Sequence, residues 1–160
     1  MRSRSPVNKS TSMICRTPDE TFAFGERFAA SLSAGDVVLL KGGLGAGKTL
    51  LTKGIVSSLG FDVDEVTSPS FALVNLYRTE KFDVYHIDLW RIEGDAAFAV
   101  GLDDILHEEN AVVIIEWAER FKQYSFPSRV FEISINGDGD GPRTVDVVAV
   151  NRSISEAAGQ

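Results

Sequence analysis

The eight residues Gly42-Gly43-Leu44-Gly45-Ala46-Gly47-Lys48-Thr49 constrain this chain more than any other stretch. They satisfy G-x-x-x-x-G-K-[ST], a pattern whose chemistry needs one local context: a strand before it, a glycine loop, and a helix after it. The glycines let the backbone adopt positive φ and bring successive amides close to phosphate oxygens. The following helix starts at those phosphates, so its N-terminal dipole adds attraction. Lys48 brings a mobile point charge to the β and γ phosphates, and the Thr49 hydroxyl is a magnesium ligand. At ordinary glycine usage a chance match in a chain of this length is on the order of one in a few hundred. The ligand to expect is ATP, or another nucleoside triphosphate, with Mg2+.

The flanks supply the required context. Val37-Val38-Leu39-Leu40 is too apolar to have one wet face, so it reads as a central strand buried on both sides. After the loop, Leu50, Leu51, Ile55 and Leu59 recur at helical spacing from about Gly47 to Leu59, and Gly60 ends the run. The predicted nucleotide-binding residues run from Gly43 to Leu50: Gly43, Leu44, Gly45, Ala46, Gly47, Lys48, Thr49 and Leu50.

The 160 residues suffice for one domain, predicted over 12–150 between a disordered tail (1–11) and a flexible one (151–160). A net charge of -7 argues against a protein that grips nucleic acid directly, since phosphate contacts need clustered Lys and Arg. Any RNA is then met mainly through a partner. Cys15 is alone, which excludes an intrachain disulfide and suggests a small buried hydrophobe on a short strand near Ser12–Arg16. No apolar run approaches the roughly 20 residues of a membrane helix, so a cytoplasmic location is expected.

The remaining pattern is α/β. Thr17-Pro18-Asp19-Glu20 announces a helix carrying Phe24, Phe28 and Leu32, stopped by Gly35; Gly25 within it needs no functional reading. Phe71–Arg78 and Phe82–Leu89 form a predicted hairpin, and 93–100 and 103–107 short helices. Ala111–Ile115 is a second doubly covered strand. Helix-like residues 119–123 precede a break at Pro127, and a C-terminal hairpin pairs Val130–Ile135 with Thr144–Val150.

A nucleotide site also needs carboxylates for the metal and for the attacking water. Asp88 closes Val84-Tyr85-His86-Ile87, and Glu116 closes Val112-Val113-Ile114-Ile115. Each stands where ligands meet the carboxyl ends of strands in open α/β sheets. The sequence leaves open which one faces the metal. Ser70, in Ser68-Pro69-Ser70-Phe71, is either a switch hydroxyl that senses the γ-phosphate or the cap of a proline turn. Trp90 and Trp117 follow the two acidic positions and can stack on a base, meet a partner or pack in the core. His86 and His107 read as structural. The start of the helix at Thr17 is the place to expect the adenine.

In this order, GGLGAGKT, TSPSFALVNLY, VYHIDLWRI and IIEWAER resemble the bacterial TsaE family, over roughly Thr17–Phe121. The resemblance implies a P-loop ATPase fold, with a mostly parallel central sheet, an antiparallel portion and helices on both faces. It also implies an ATPase that assists TsaB and TsaD in placing threonylcarbamoyl on the adenosine beside the tRNA anticodon, meeting tRNA only through that complex. On this analogy Lys48 and Thr49 act in the loop, Ser70 takes the switch position usually held by Thr, and Asp88 and Glu116 serve magnesium and hydrolysis. Trp117 lies near the nucleotide. The chain departs from the family at Gly43, usually acidic, at Trp90, commonly tyrosine, and at Ala118, frequently proline. Two other readings remain from the residues alone. One is a small-metabolite kinase, although Arg78, Arg91 and Arg120 are scattered rather than gathered in a lid. The other is a nucleotide-gated binding subunit with negligible turnover.

Overall fold

A computed structural model of the chain describes residues 9–43, 45–66, 74–88, 101–116, 126 and 129–150. Strand β1 (Lys9–Cys15) leads into helix α1 (Pro18–Ala29), strand β2 (Val37–Lys41) and helix α2 (Lys48–Ser58). Strands β3 (Val74–Arg78) and β4 (Asp83–Asp88) form the hairpin. Helix α3 (Leu102–Leu106), β5 (Ala111–Glu116), β6 (Val130–Asn136) and β7 (Arg143–Val150) complete the described fold.

The described strands make one sheet in the order β1-β7-β6-β2-β5-β4-β3. Its centre is parallel, through β6–β2, β2–β5 and β5–β4. The margins are antiparallel: β7 and β1 on one side, β3 on the other. The sheet is thus mostly parallel at its centre with hairpins at both sides. Val38, Leu40, Val112, Ile114 and Ile133 pack on one face against α1 and α2. Val37, Leu39, Val113 and Ile115 pack on the other against Leu102 and Leu106 of α3. Both doubly covered strands are therefore β2 and β5, where unbroken apolar runs stand.

The N-terminal strand begins earlier than its composition suggests. Lys9–Thr11, expected in a disordered tail, pair with Val147–Ala149 of β7. The partner strand satisfies backbone groups that Ser- and Thr-rich residues could not organise locally. Helix α1 begins as expected, with the Thr17 hydroxyl accepting from the Glu20 amide at 3.2 Å. It ends sooner, at Ala29 rather than near Gly35. The chain tightens to i→i−3 bonds over Ala30, Ser31 and Leu32, which keeps Leu32 in the core although it is no longer helical.

Helices α1 and α2 touch backbone to backbone, and two glycines make that possible. A Cβ on Gly25 would lie 2.3 Å from the Leu51 carbonyl oxygen, and one on Gly54 would lie 2.1 Å from that of Phe22. Gly25 is thus a contact point that its sequence surroundings did not disclose. The contact fixes the axis of α2, and with it the position at which α2 meets the glycine loop.

Candidate functional site

The loop leaves β2 at Lys41 and enters α2 at Lys48. Gly45 (φ 75°) and Gly47 (φ 114°) occupy backbone conformations that side chains disfavour. Gly47 is the N-cap of α2, and no side-chain hydrogen bond caps that 11-residue helix. Its opening turn therefore offers backbone donors to an anion. Lys48 is 6% exposed, and its Nζ donates to the carbonyls of Gly42 at 2.7 Å and Gly43 at 2.9 Å. Those bonds fold the ammonium over the loop.

The two carboxylates share one row of the sheet. Leu40 of β2 pairs with Glu116 of β5, and Glu116 pairs with Asp88 of β4. Side chains alternate faces along a strand, and Leu40, Ile114 and Val84 belong to the core beneath α2. Asp88 and Glu116 therefore point to the α2 side of the sheet, at the strand ends where the glycine loop starts. Both are buried, at 4% and 3% exposure. Unshielded carboxylates are rarely buried so deeply without a compensating charge or hydrogen bond. His86, on the same face, bonds one Glu116 oxygen through Nε2.

Among the described residues no group of three or more His, Cys, Asp and Glu could cage a metal by itself. Oxygen donors from Thr49, Asp88 and Glu116 nevertheless suit Mg2+, which ordinarily takes one or two carboxylates and completes its shell with phosphate oxygens and water. The site fits a metal that arrives with a triphosphate.

A cavity of about 360 Å³ adjoins the loop, walled by Thr17, Thr21, Gly47, Leu50, Gly139 and Arg143 among others. It joins the start of α1, the start of α2 and the β6–β7 turn. Arg143 anchors that turn with all its N–H groups. Its Nε and Nη2 donate to Ala46 O and Gly45 O at 3.0 and 3.2 Å. Nη1 and Nη2 reach the carbonyls of Asp138, Gly141 and Gly139 at 3.1, 2.7 and 2.9 Å. Five carbonyl acceptors, one for each side-chain N–H, suit a guanidinium and outnumber the donors of an ammonium. Arg143→Lys is accordingly expected to weaken nucleotide affinity about tenfold, measured by calorimetry, because roughly 1–1.5 kcal/mol of loop ordering is lost. Cys15 also borders the cavity; burial, the largest influence, raises its thiol pKa and leaves it protonated and inert.

The structure brings Gly43, Gly45, Ala46, Gly47, Lys48, Thr49, Leu50, Asp88 and Glu116 to one end of the sheet. Leu44, Ser70 and Trp117 lie outside the described residues, as do Trp90 and the predicted helices at 93–100 and 119–123. Sequence reasoning passed over His86 and Arg143. His86 carried a signal, since it stands two residues before Asp88 on a strand and so shares its face. Arg143 carried none, because only the tertiary fold sets the Gly-rich turn against the phosphate loop.

The family model described as threonylcarbamoyl adenosine biosynthesis protein TsaE matches residues 15–145, which span the loop, both carboxylates and Arg143. The chain belongs to the TsaE family. A TsaE of Bacillus subtilis (strain 168), named tRNA threonylcarbamoyladenosine biosynthesis protein TsaE, is 37% identical over 133 residues, covering 83% of this chain and 82% of that protein. A TsaE of the same name from Nostoc sp. is 29% identical over 153 residues, covering 94% of this chain and 93% of that one. The crystal structure of YdiB from Bacillus subtilis superposes with a TM-score of 0.72 at 30% identity, over 97% of this chain and 95% of that one. The fold that the TsaE resemblance implied is the fold found, and no described helix is long and apolar enough to cross a membrane.

Proposed function

We propose that this TsaE-family chain is a magnesium-dependent ATPase that serves formation of threonylcarbamoyladenosine in tRNA. Its TsaB and TsaD homologues are the partners, and it meets tRNA only within their complex. The single observation that carries the ATPase reading is the row Leu40–Glu116–Asp88, which ends two buried carboxylates beside the glycine loop on the α2 side.

In this reading the amides of Gly45 to Leu50 hold the β and γ phosphates, and Lys48 exchanges its two carbonyl partners for phosphate oxygens. The cavity between Thr17, Leu50 and Arg143 receives the base and sugar. Thr49 and Asp88 would hold Mg2+, which would supply positive charge against the phosphate oxygens; Glu116 orients the attacking water and accepts its proton. Ser70 and Trp117, outside the described residues, take the roles that the family resemblance implies, γ-phosphate sensor and neighbour of the nucleotide. The net charge of -7 accords with leaving tRNA to the partners.

Glu116→Ala should separate binding from chemistry. ATP affinity is expected to stay within about threefold while turnover falls about a hundredfold or more. Equal loss of affinity and turnover would remove Glu116 from the chemical step. Copurification with the TsaB–TsaD pair, with and without ATP, followed by an assay of tRNA modification, tests the wider assignment. Failure to associate under every nucleotide condition would sink it.

A further inference from the structure

His86 is 0% exposed, with Ile114 and Asn75 as its register partners and Val84 two residues back on the same face. A buried imidazole is costly unless it is fully bonded. Both its nitrogens are bonded. Nε2 meets Glu116 Oε2, and Nδ1 meets the Tyr77 hydroxyl at 3.2 Å. Asn75 Nδ2 in turn donates to that hydroxyl at 3.3 Å. Register places Asn75 opposite His86 and Tyr77 opposite Val84, so the whole chain of groups lies on the α2 face.

The donors run in one direction. With Glu116 as the acceptor, the bond places a proton on Nε2; in that tautomer Nδ1 is the acceptor and the Tyr77 hydroxyl the donor. The relay is also held sideways. The Tyr77 ring lies 5.0 Å from that of Phe61 and 5.9 Å from the imidazole. A glutamate at the end of a strand has three rotatable bonds. Tying one oxygen to a buried imidazole removes most of that freedom and leaves the other oxygen for the reaction.

We infer that His86 is a positioning residue for Glu116, and that its orientation is set through Tyr77 and Asn75 by edge strand β3. The chemical consequence rests on the ATPase reading; the arrangement of bonds does not. Seating of β3 against β4 is then communicated to the carboxylate, because Tyr77 belongs to one strand and His86 to the other.

Two measurements test this. The first reads the ring itself. The chain has two histidines, so long-range 1H–15N spectra are simple to assign with a His107→Ala variant. His107 Nδ1 meets the Asp103 carbonyl at 2.7 Å, which makes it the opposite tautomer when neutral and an internal control. His86 is expected as the Nε2–H tautomer, with that proton's downfield signal lost in Glu116→Ala; an Nδ1–H tautomer for His86 overturns the inference. The second reads chemistry. His86→Leu and Tyr77→Phe are each expected to lower ATP turnover, His86→Leu about tenfold, with ATP affinity unchanged within about twofold. His86→Leu should cost nothing further in a Glu116→Ala background. An equal loss in both backgrounds, or no loss in either single variant, overturns the positioning role. If His86→Leu does not fold, Tyr77→Phe, which keeps the ring packing, carries the kinetic test. Absence of hydrolysis by the wild-type chain, alone and with its partners, refutes the ATPase reading and leaves the tautomer measurement to decide the positioning.

Discussion

Lys48→Ala is expected to lower affinity for ATP at least a hundredfold in isothermal calorimetry, with the fold intact by circular dichroism. The loss amounts to about 3 kcal/mol or more, the upper range for hydrogen bonds to charged groups. The side chain is almost wholly buried and its ammonium already sits 2.7 and 2.9 Å from two loop carbonyls. In the proposed reading the phosphates meet an ammonium already held at the loop, which has only to trade those two carbonyls for phosphate oxygens. Lys48→Arg is expected to fail as well, because a guanidinium is too broad for the space between the Gly42 and Gly43 carbonyls. Equal affinity in wild type and Lys48→Ala would place the triphosphate elsewhere.

The second large effect concerns stability and lies away from the loop. Gly54→Ala is expected to destabilise the protein by about 3 kcal/mol or more in chemical denaturation, the magnitude of severe overpacking. The added methyl would meet a rigid acceptor, the Phe22 carbonyl oxygen, at 2.1 Å, so α1 and α2 must move apart. Gly25→Ala should act in the same way through the Leu51 carbonyl. The two changes are expected to be less than additive, since the first separation relieves the second clash. Nucleotide affinity should fall alongside stability in either variant, because α2 carries Lys48 and Thr49. A Gly54→Ala protein within about 0.5 kcal/mol of wild type would show that the helix contact is slack.

Legibility followed the range of the interaction. Strands β2 and β5 announced themselves because burial on both faces forces unbroken apolar runs, and the loop between β2 and α2 is a local motif with local chemistry. Asp88 and Glu116 could be picked out because each is the polar residue that ends such a run. The sheet order then put them in one row, which no spacing along the chain encodes. Lys9–Thr11 were unreadable as a strand because their hydrogen bonds come from Val147–Ala149 of β7, at the far end of the described chain. Gly25 looked incidental for a similar reason: its role is set by a second glycine on another helix. His86 sat among hydrophobes with no polar neighbour at its own spacing except Asp88, and its true partner is on β5.

The pairing of β1 with β7 has a consequence for how the protein comes into being. Cys15 is the register partner of Arg143, so the first and last described strands meet beside the phosphate loop. During synthesis the loop and its lysine emerge well before the arginine that braces them. A nascent chain can build the centre of the sheet before the glycine loop has its brace. The finished loop is thereby reserved for molecules in which β1 and β7 have met.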